Sequence, residues 1–130
     1  MDRMEHTRAL RGDTNVHYNC CQSVLVTFAE EMGLSEAQAY ALGSHFAGGT
    51  GHGATCGVLT GALMVLGTLG YDKQHAMALL QQFREKHGAT DCAALLKSSR
   101  DRGEVRAAHC DGLVYEIVEA LEAQLAYECL

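Results

Sequence analysis

At 130 residues and 48% hydrophobic content, the chain is long and apolar enough to form one domain, residues 1–130, with a core of its own. A formal charge of −6, with no cluster among its ten Lys and Arg residues, excludes a sequence-independent grip on nucleic-acid phosphates, which needs concentrated positive charge. The opening MDRMEHTRALRGD lacks the apolar run of a secretory signal, so the expected compartment is the reducing cytoplasm, where most of the six cysteines stay thiols.

Proline is absent and apolar residues recur at the helical spacing without strand alternation. That pattern predicts an all-α fold, a compact bundle of about five to six helices around a buried, Gly-rich central helix. Residues 1–13 read as a polar N-terminal leader. After N-cap candidates from Asp13 to Asn15, a first helix places His17, Cys20, Cys21, Val24, Leu25, Phe28 and Met32 on one face and stops at Gly33. Ser35 and Gln38 form a capping box for a second helix, which is expected to turn Leu42 and Phe46 inward and to end in the glycine run from Gly48. A third helix is predicted from Thr55, as its cap, to Gly70, apolar nearly all round. No Asp, Glu, Lys or Arg occurs between Ala37 and Tyr71, yet Gly, Thr and His interrupt the ~20 continuous apolar residues that a membrane span requires. This helix is therefore expected at the centre of the bundle. Asp72 caps a fourth helix, with Met77, Leu80 and Phe83 inward and Gly88 at its end, and Thr90 or Asp91 opens a short fifth one. KSSRDRGEVR reads as a solvated loop, and a last helix runs from about Cys110 to Tyr127 on a stripe of Leu113, Ile117, Leu121 and Leu125.

These elements put Cys56, Cys92 and Cys110 at helix N-termini, where unsatisfied N–H groups and the helix dipole stabilise a thiolate. Cys20 stands one turn after His17, within reach of imidazole on the same face. The run HFAGGTGHGATCGVLTG, His45 to Gly61, gathers glycines directly before Cys56. Gly53, Gly57 and Gly61 are expected to support the site with backbone, letting a sulfur ligand or a second helix come close; tight helix packing alone explains Gly57 and Gly61 equally well. Cys21 and Cys129 are the candidates for plain packing, and His52 and His109 rank above His45, His75 and His87 as site residues. Zinc-type C-x₂₋₄-C pairs and a thioredoxin C-x-x-C are missing, so a zinc knuckle is not expected. The glycine run is followed by no P-loop Lys-Ser/Thr, which argues against a phosphate loop. The four thiols are separated by 36, 36 and 18 residues, so any joint site is assembled by tertiary packing.

These residues resemble the C_GCAxxG_C_C family, small bacterial and archaeal proteins whose label ascribes them redox activity. The resemblance rests on Asn19-Cys20 with Gln22-Ser23-Val24-Leu25, on the glycine run into Cys56-Gly57-Val58-Leu59-Thr60-Gly61, on Cys92 in TDCAALL and on Cys110 in AHCDGLV. It implies that Cys20, Cys56, Cys92 and Cys110 are the hallmark cysteines, with Val58 standing where the motif has alanine. It also implies an auxiliary role near a transporter. The leading expectation is a redox protein whose four thiols cycle as thiols and disulfides, with Cys56 the acidic attacker and Cys92 or Cys110 resolving, serving a transporter or redox partner. The alternative is that the same four thiolates hold a metal or an iron–sulfur cluster; a third option is a helical interaction module. Catalytic turnover does not follow from the sequence.

Overall fold

The computed structural model describes residues 2–128, apart from the side chain of Glu128. Among them are eight α-helices and one five-residue turn of π-helix, more than the expected five to six, and no strand; the chain is all-α. The helices are α1 (Arg3–Arg11), α2 (Cys20–Thr27), α3 (Ala29–Met32), α4 (Glu36–Leu42), α5 (Gly57–Thr68), α6 (Lys73–His87), α7 (Cys92–Asp101) and α8 (Arg106–Glu128). No described helix is long and apolar enough to cross a membrane.

The first additional helix is α1, where the sequence suggests only a polar leader. Asp2 and Glu5 close a capping box at its start, and Thr7 and Leu10 are buried on its inner face. The Thr7 hydroxyl lies 2.9 Å from that of Thr27, and Arg3 pairs with Glu31 at 2.8 Å and with Glu122 at 3.4 Å. Polar composition hides this helix because its contacts to α2 and α8 are themselves largely polar. Asp13, read as a cap candidate, instead accepts from the backbone N–H of Asn15 and Val16 and shapes a turn. The next helix begins at Cys20, where Asn19 and Gln22 form a reciprocal capping box.

The expected continuous helix to Gly33 is divided at Phe28, whose φ of −104° and ψ of 14° separate α2 from α3. Gly33, at φ 75°, ends α3 in the left-handed conformation that glycine adopts without a Cβ clash. The Ser35–Gln38 capping box forms as expected, but α4 ends at Leu42, which is 47% exposed and does not point inward. Met77 is likewise 53% exposed, because α6 buries only Phe83 fully. Asp72 caps α6, and Gly88 closes it at φ 79°.

The expected solvated loop is shorter than its composition suggests. Asp91 precedes α7, which continues through Lys97 to Asp101, and α8 already starts at Arg106. Every residue from Cys21 to Thr27 of α2 is buried, and α2 packs against α5, with Cys20 and Cys21 beside Gly57 and Val24 beside Gly61. Leu113, Val114, Ile117, Val118 and Leu121 of α8 complete the core, each buried aliphatic contributing about 1.5–3 kcal/mol relative to exposure.

Candidate functional site

The ends of these helices converge on a cavity of about 200 Å³, and Cys20, Cys56, Cys92 and Cys110 all line it. Cys20 is the first residue of α2; Asn19 holds that end by donating its side-chain amide to Gly43 O. Cys56 is itself the N-cap of α5, so the helix starts at Gly57 and Thr55 is not its cap. Thr55 instead makes an isolated antiparallel bridge with Asp91. Its two bonds, Cys56 N–H to Thr90 O at 2.9 Å and Cys92 N–H to Ala54 O at 2.7 Å, tie two cysteine-bearing helix starts side by side. Cys110 sits in the second turn of α8 rather than at its opening, so the N-terminal thiols are Cys20, Cys56 and Cys92.

The glycines act through close approach. Gly53 has φ 79°, and a Cβ there would stand 2.8 Å from that of Ala93, so its absence lets the loop lie against the start of α7. A Cβ on Gly57 would meet Phe46 O at 3.0 Å, Cys21 N at 3.2 Å and Cys20 Cβ at 3.4 Å; one on Gly61 would meet Val24 Cβ at 3.1 Å. The Gly57–Gly61 strip is thus a helix-packing surface, and that packing is what brings Cys56 toward Cys20. Of the three glycines, Gly57 lines the cavity and Gly53 and Gly61 do not.

The remaining wall is part apolar, from Leu95, Leu96 and Leu113, and part cationic, from Arg11 and Arg106. Among the described residues, no carboxylate belongs to the lining. Arg11, 11% exposed, donates from Nε to Asp111 at 2.7 Å and from Nη1 to Tyr18 O at 2.8 Å and Ser23 Oγ at 3.2 Å. Sequence reading missed both arginines because one lies in the supposed leader and the other in the supposed loop; only the folded arrangement brings them to the thiols. His17 and His109 also line the cavity, and burial holds the His109 imidazole below its usual pKa, in its neutral form. His52, set in the glycine loop, is exposed and bonds locally to Thr50.

The thiols differ sharply in acidity. A hydrogen bond from the Cys20 thiol, then the charges of Arg11 and Arg106, stabilise the Cys110 thiolate against its partial burial and bring its pKa down to about 6. The same bond, reinforced by burial, drives the Cys20 pKa upward, so this pair shares one proton held on Cys20. Burial pushes Cys56 up to about 11 against the opposing N–H groups of Val58 and Leu59, which corrects the expectation that Cys56 is the acidic thiol. Cys92 is raised, by burial and by the charge of Cys110. Cys21 is fully buried beneath the site and is pushed up to about 12 by that burial, as a packing thiol should be. Cys129 lies outside the described residues.

An all-helical fold thus gathers four thiols, carried by α2, α7, α8 and the N-cap of α5, around one partly cationic cavity. Residues 18–124 match the C_GCAxxG_C_C family, described as "Putative redox-active protein", and the chain belongs to that family. No curated protein and no solved structure matches it. Among the described residues, no group of three or more His, Cys, Asp or Glu side chains is arranged to hold a metal ion.

Proposed function

We propose that the protein is a dithiol electron carrier of the reducing cytoplasm, with Cys110 as the attacking thiolate and Cys20 as the resolving thiol. The observation that supports this is the convergence of Cys20 and Cys110 on one four-thiol cavity that Arg11 and Arg106 also line. With a pKa of about 6, Cys110 is roughly nine-tenths thiolate at pH 7, whereas an ordinary thiol of pKa ~8.5 is only a few per cent ionised. The Cys110 thiolate attacks one sulfur of an oxidised disulfide substrate, forming a mixed disulfide and expelling the other sulfur as a thiolate. That step removes the negative charge that Cys20 was bonding to. The leading cause of its raised pKa is then gone, and Cys20 loses its proton as it attacks Cys110 Sγ. The second substrate thiol leaves with that proton, two electrons have passed to the substrate, and a Cys20–Cys110 disulfide remains. A redox partner or a transporter component would exchange electrons with it.

One observation favours a second reading. Dithiol exchange uses two thiols, and the cavity presents four, with the N-termini of α5 and α7 among them. Four dispersed cysteines can hold an iron–sulfur cluster for one-electron transfer, and helix N-termini offset its negative charge. Anaerobic purification followed by iron and acid-labile sulfide assay, a visible spectrum and disulfide mapping after one equivalent of diamide decides between them. Colourless, metal-free protein forming a Cys20–Cys110 bond is the expected result; stoichiometric iron and sulfide would replace the dithiol reading with the cluster.

A further inference from the structure

The dithiol reading leaves open what the cavity admits, and its shape and charge narrow the choice. A cavity of about 200 Å³ is of small-molecule size. The cavity is also opposite in charge to the molecule: the chain carries −6 overall, while the lining among the described residues has two arginines and no carboxylate. The two arginines are not equivalent. Arg11 is held by Asp111 and backbone, but Arg106, which lines the cavity with Cys110, makes no ion pair among the described residues. An exposed, unpaired guanidinium beside the reactive sulfur is suited to an anionic group on the substrate or on what leaves it.

We infer that the cavity takes a small anionic sulfane-sulfur compound, an outer sulfur bonded to an oxyanion group, of which thiosulfate is the simplest. This rests on the dithiol reading and adds its substrate class. The Cys110 thiolate attacks the outer sulfur; a bond forms from Cys110 Sγ to that sulfur, the bond from it to the sulfonate breaks, and the electron pair leaves with sulfite. Arg106 faces the position where the oxyanion charge gathers. Cys110 then carries a persulfide. The Cys20 thiol attacks Cys110 Sγ and passes its proton to the leaving outer sulfur, which departs as hydrosulfide, and the Cys20–Cys110 disulfide closes. The two thiols are oxidised by two electrons, and the outer sulfur is reduced to sulfide. An external dithiol resets the pair.

The test uses the reduced full chain, freed of reductant without air and mixed with either thiosulfate or hydroxyethyl disulfide, an uncharged small disulfide. Sulfite, sulfide and remaining thiols are counted for the native protein and for Arg106→Gln. Expected are one sulfite and one sulfide per protein with loss of two thiols, and at least a tenfold greater loss of rate on thiosulfate than on hydroxyethyl disulfide in Arg106→Gln. Oxidation by hydroxyethyl disulfide without sulfite release from thiosulfate, or an equal loss on both substrates in the variant, would overturn the anion assignment and leave the dithiol pair standing. If neither compound oxidises the folded protein, the dithiol reading falls as well.

Discussion

At the scale of single residues, reactivity is concentrated on Cys110, and the cause is two neighbours from distant parts of the chain. The Cys20 thiol donates to it, and Arg11 and Arg106 supply positive charge. Removing the donor destabilises the thiolate, so Cys20→Ala should raise the Cys110 pKa. In the native protein the rate of iodoacetamide capture at Cys110 should be half-maximal near pH 6; in the variant the midpoint should rise by at least one pH unit. Mass-spectrometric alkylation profiles read this directly, and superimposable profiles would refute it. Arg11 has a second role, because its guanidinium joins α1 to the start of α2 and to Asp111 of α8. Arg11→Met should cost roughly 2 kcal/mol in urea unfolding, less than the ~3–5 kcal/mol of breaking a fully buried ion pair, because Asp111 is 36% exposed and can rehydrate.

Among the elements, α5 offers an internal comparison, since its glycines meet opposite surroundings. Gly57→Ala would press a Cβ into Phe46 O and Cys21 N and force α2 away, so it should destabilise by about 1–3 kcal/mol. Gly67, in the same helix, has nothing within 4 Å of an added Cβ, so Gly67→Ala should stabilise by ~0.5–1 kcal/mol through helix propensity. Thermal melts of the two variants should therefore move in opposite directions; a shared sign would contradict the packing described. This strip also shows what sequence can reveal. The spacing of Gly57 and Gly61 announced a close approach, and Asp72, Gly33, Gly88 and the Ser35–Gln38 box marked helix ends correctly, because capping is local chemistry. Cys56 and Cys92 were legible as helix-start residues for the same reason, whereas Cys110 falls in the second turn of α8 and the helix start at Cys20 was not anticipated. Arg11 and Arg106 were not, since their work depends on contacts between α1, α2 and α8 that no local pattern encodes. The break at Phe28 was equally hidden: its side chain keeps the apolar periodicity while its backbone leaves the helix.

Taken as a whole, the molecule couples the state of its sulfurs to its stability, because the proposed redox bond joins α2 to α8 across most of the chain. Cys20 and Cys110 are far apart in sequence, and closing a loop on the order of 90 residues removes enough unfolded-state freedom to stabilise a fold by roughly 4–5 kcal/mol when the native geometry accepts the bond. Here the two cysteines line the same cavity in the reduced fold, α2 supplying one and α8 the other. The diamide-oxidised protein should accordingly unfold at higher urea concentration than the reduced protein, and Cys20→Ser should abolish that difference. A disulfide mapped instead between Cys56 and Cys92 would close a loop of only about 36 residues, with a smaller gain of about 4 kcal/mol or less, and would move the redox pair to the bridge between α5 and α7. The proposed Cys20–Cys110 disulfide would also be self-limiting as an oxidant: whatever stability it adds to the folded chain is free energy that a reductant must overcome, so a larger urea shift should accompany a more negative reduction potential. Measuring both on the same oxidised sample tests that linkage, and a large shift paired with an easily reduced bond would place the stored oxidising power somewhere other than Cys20 and Cys110.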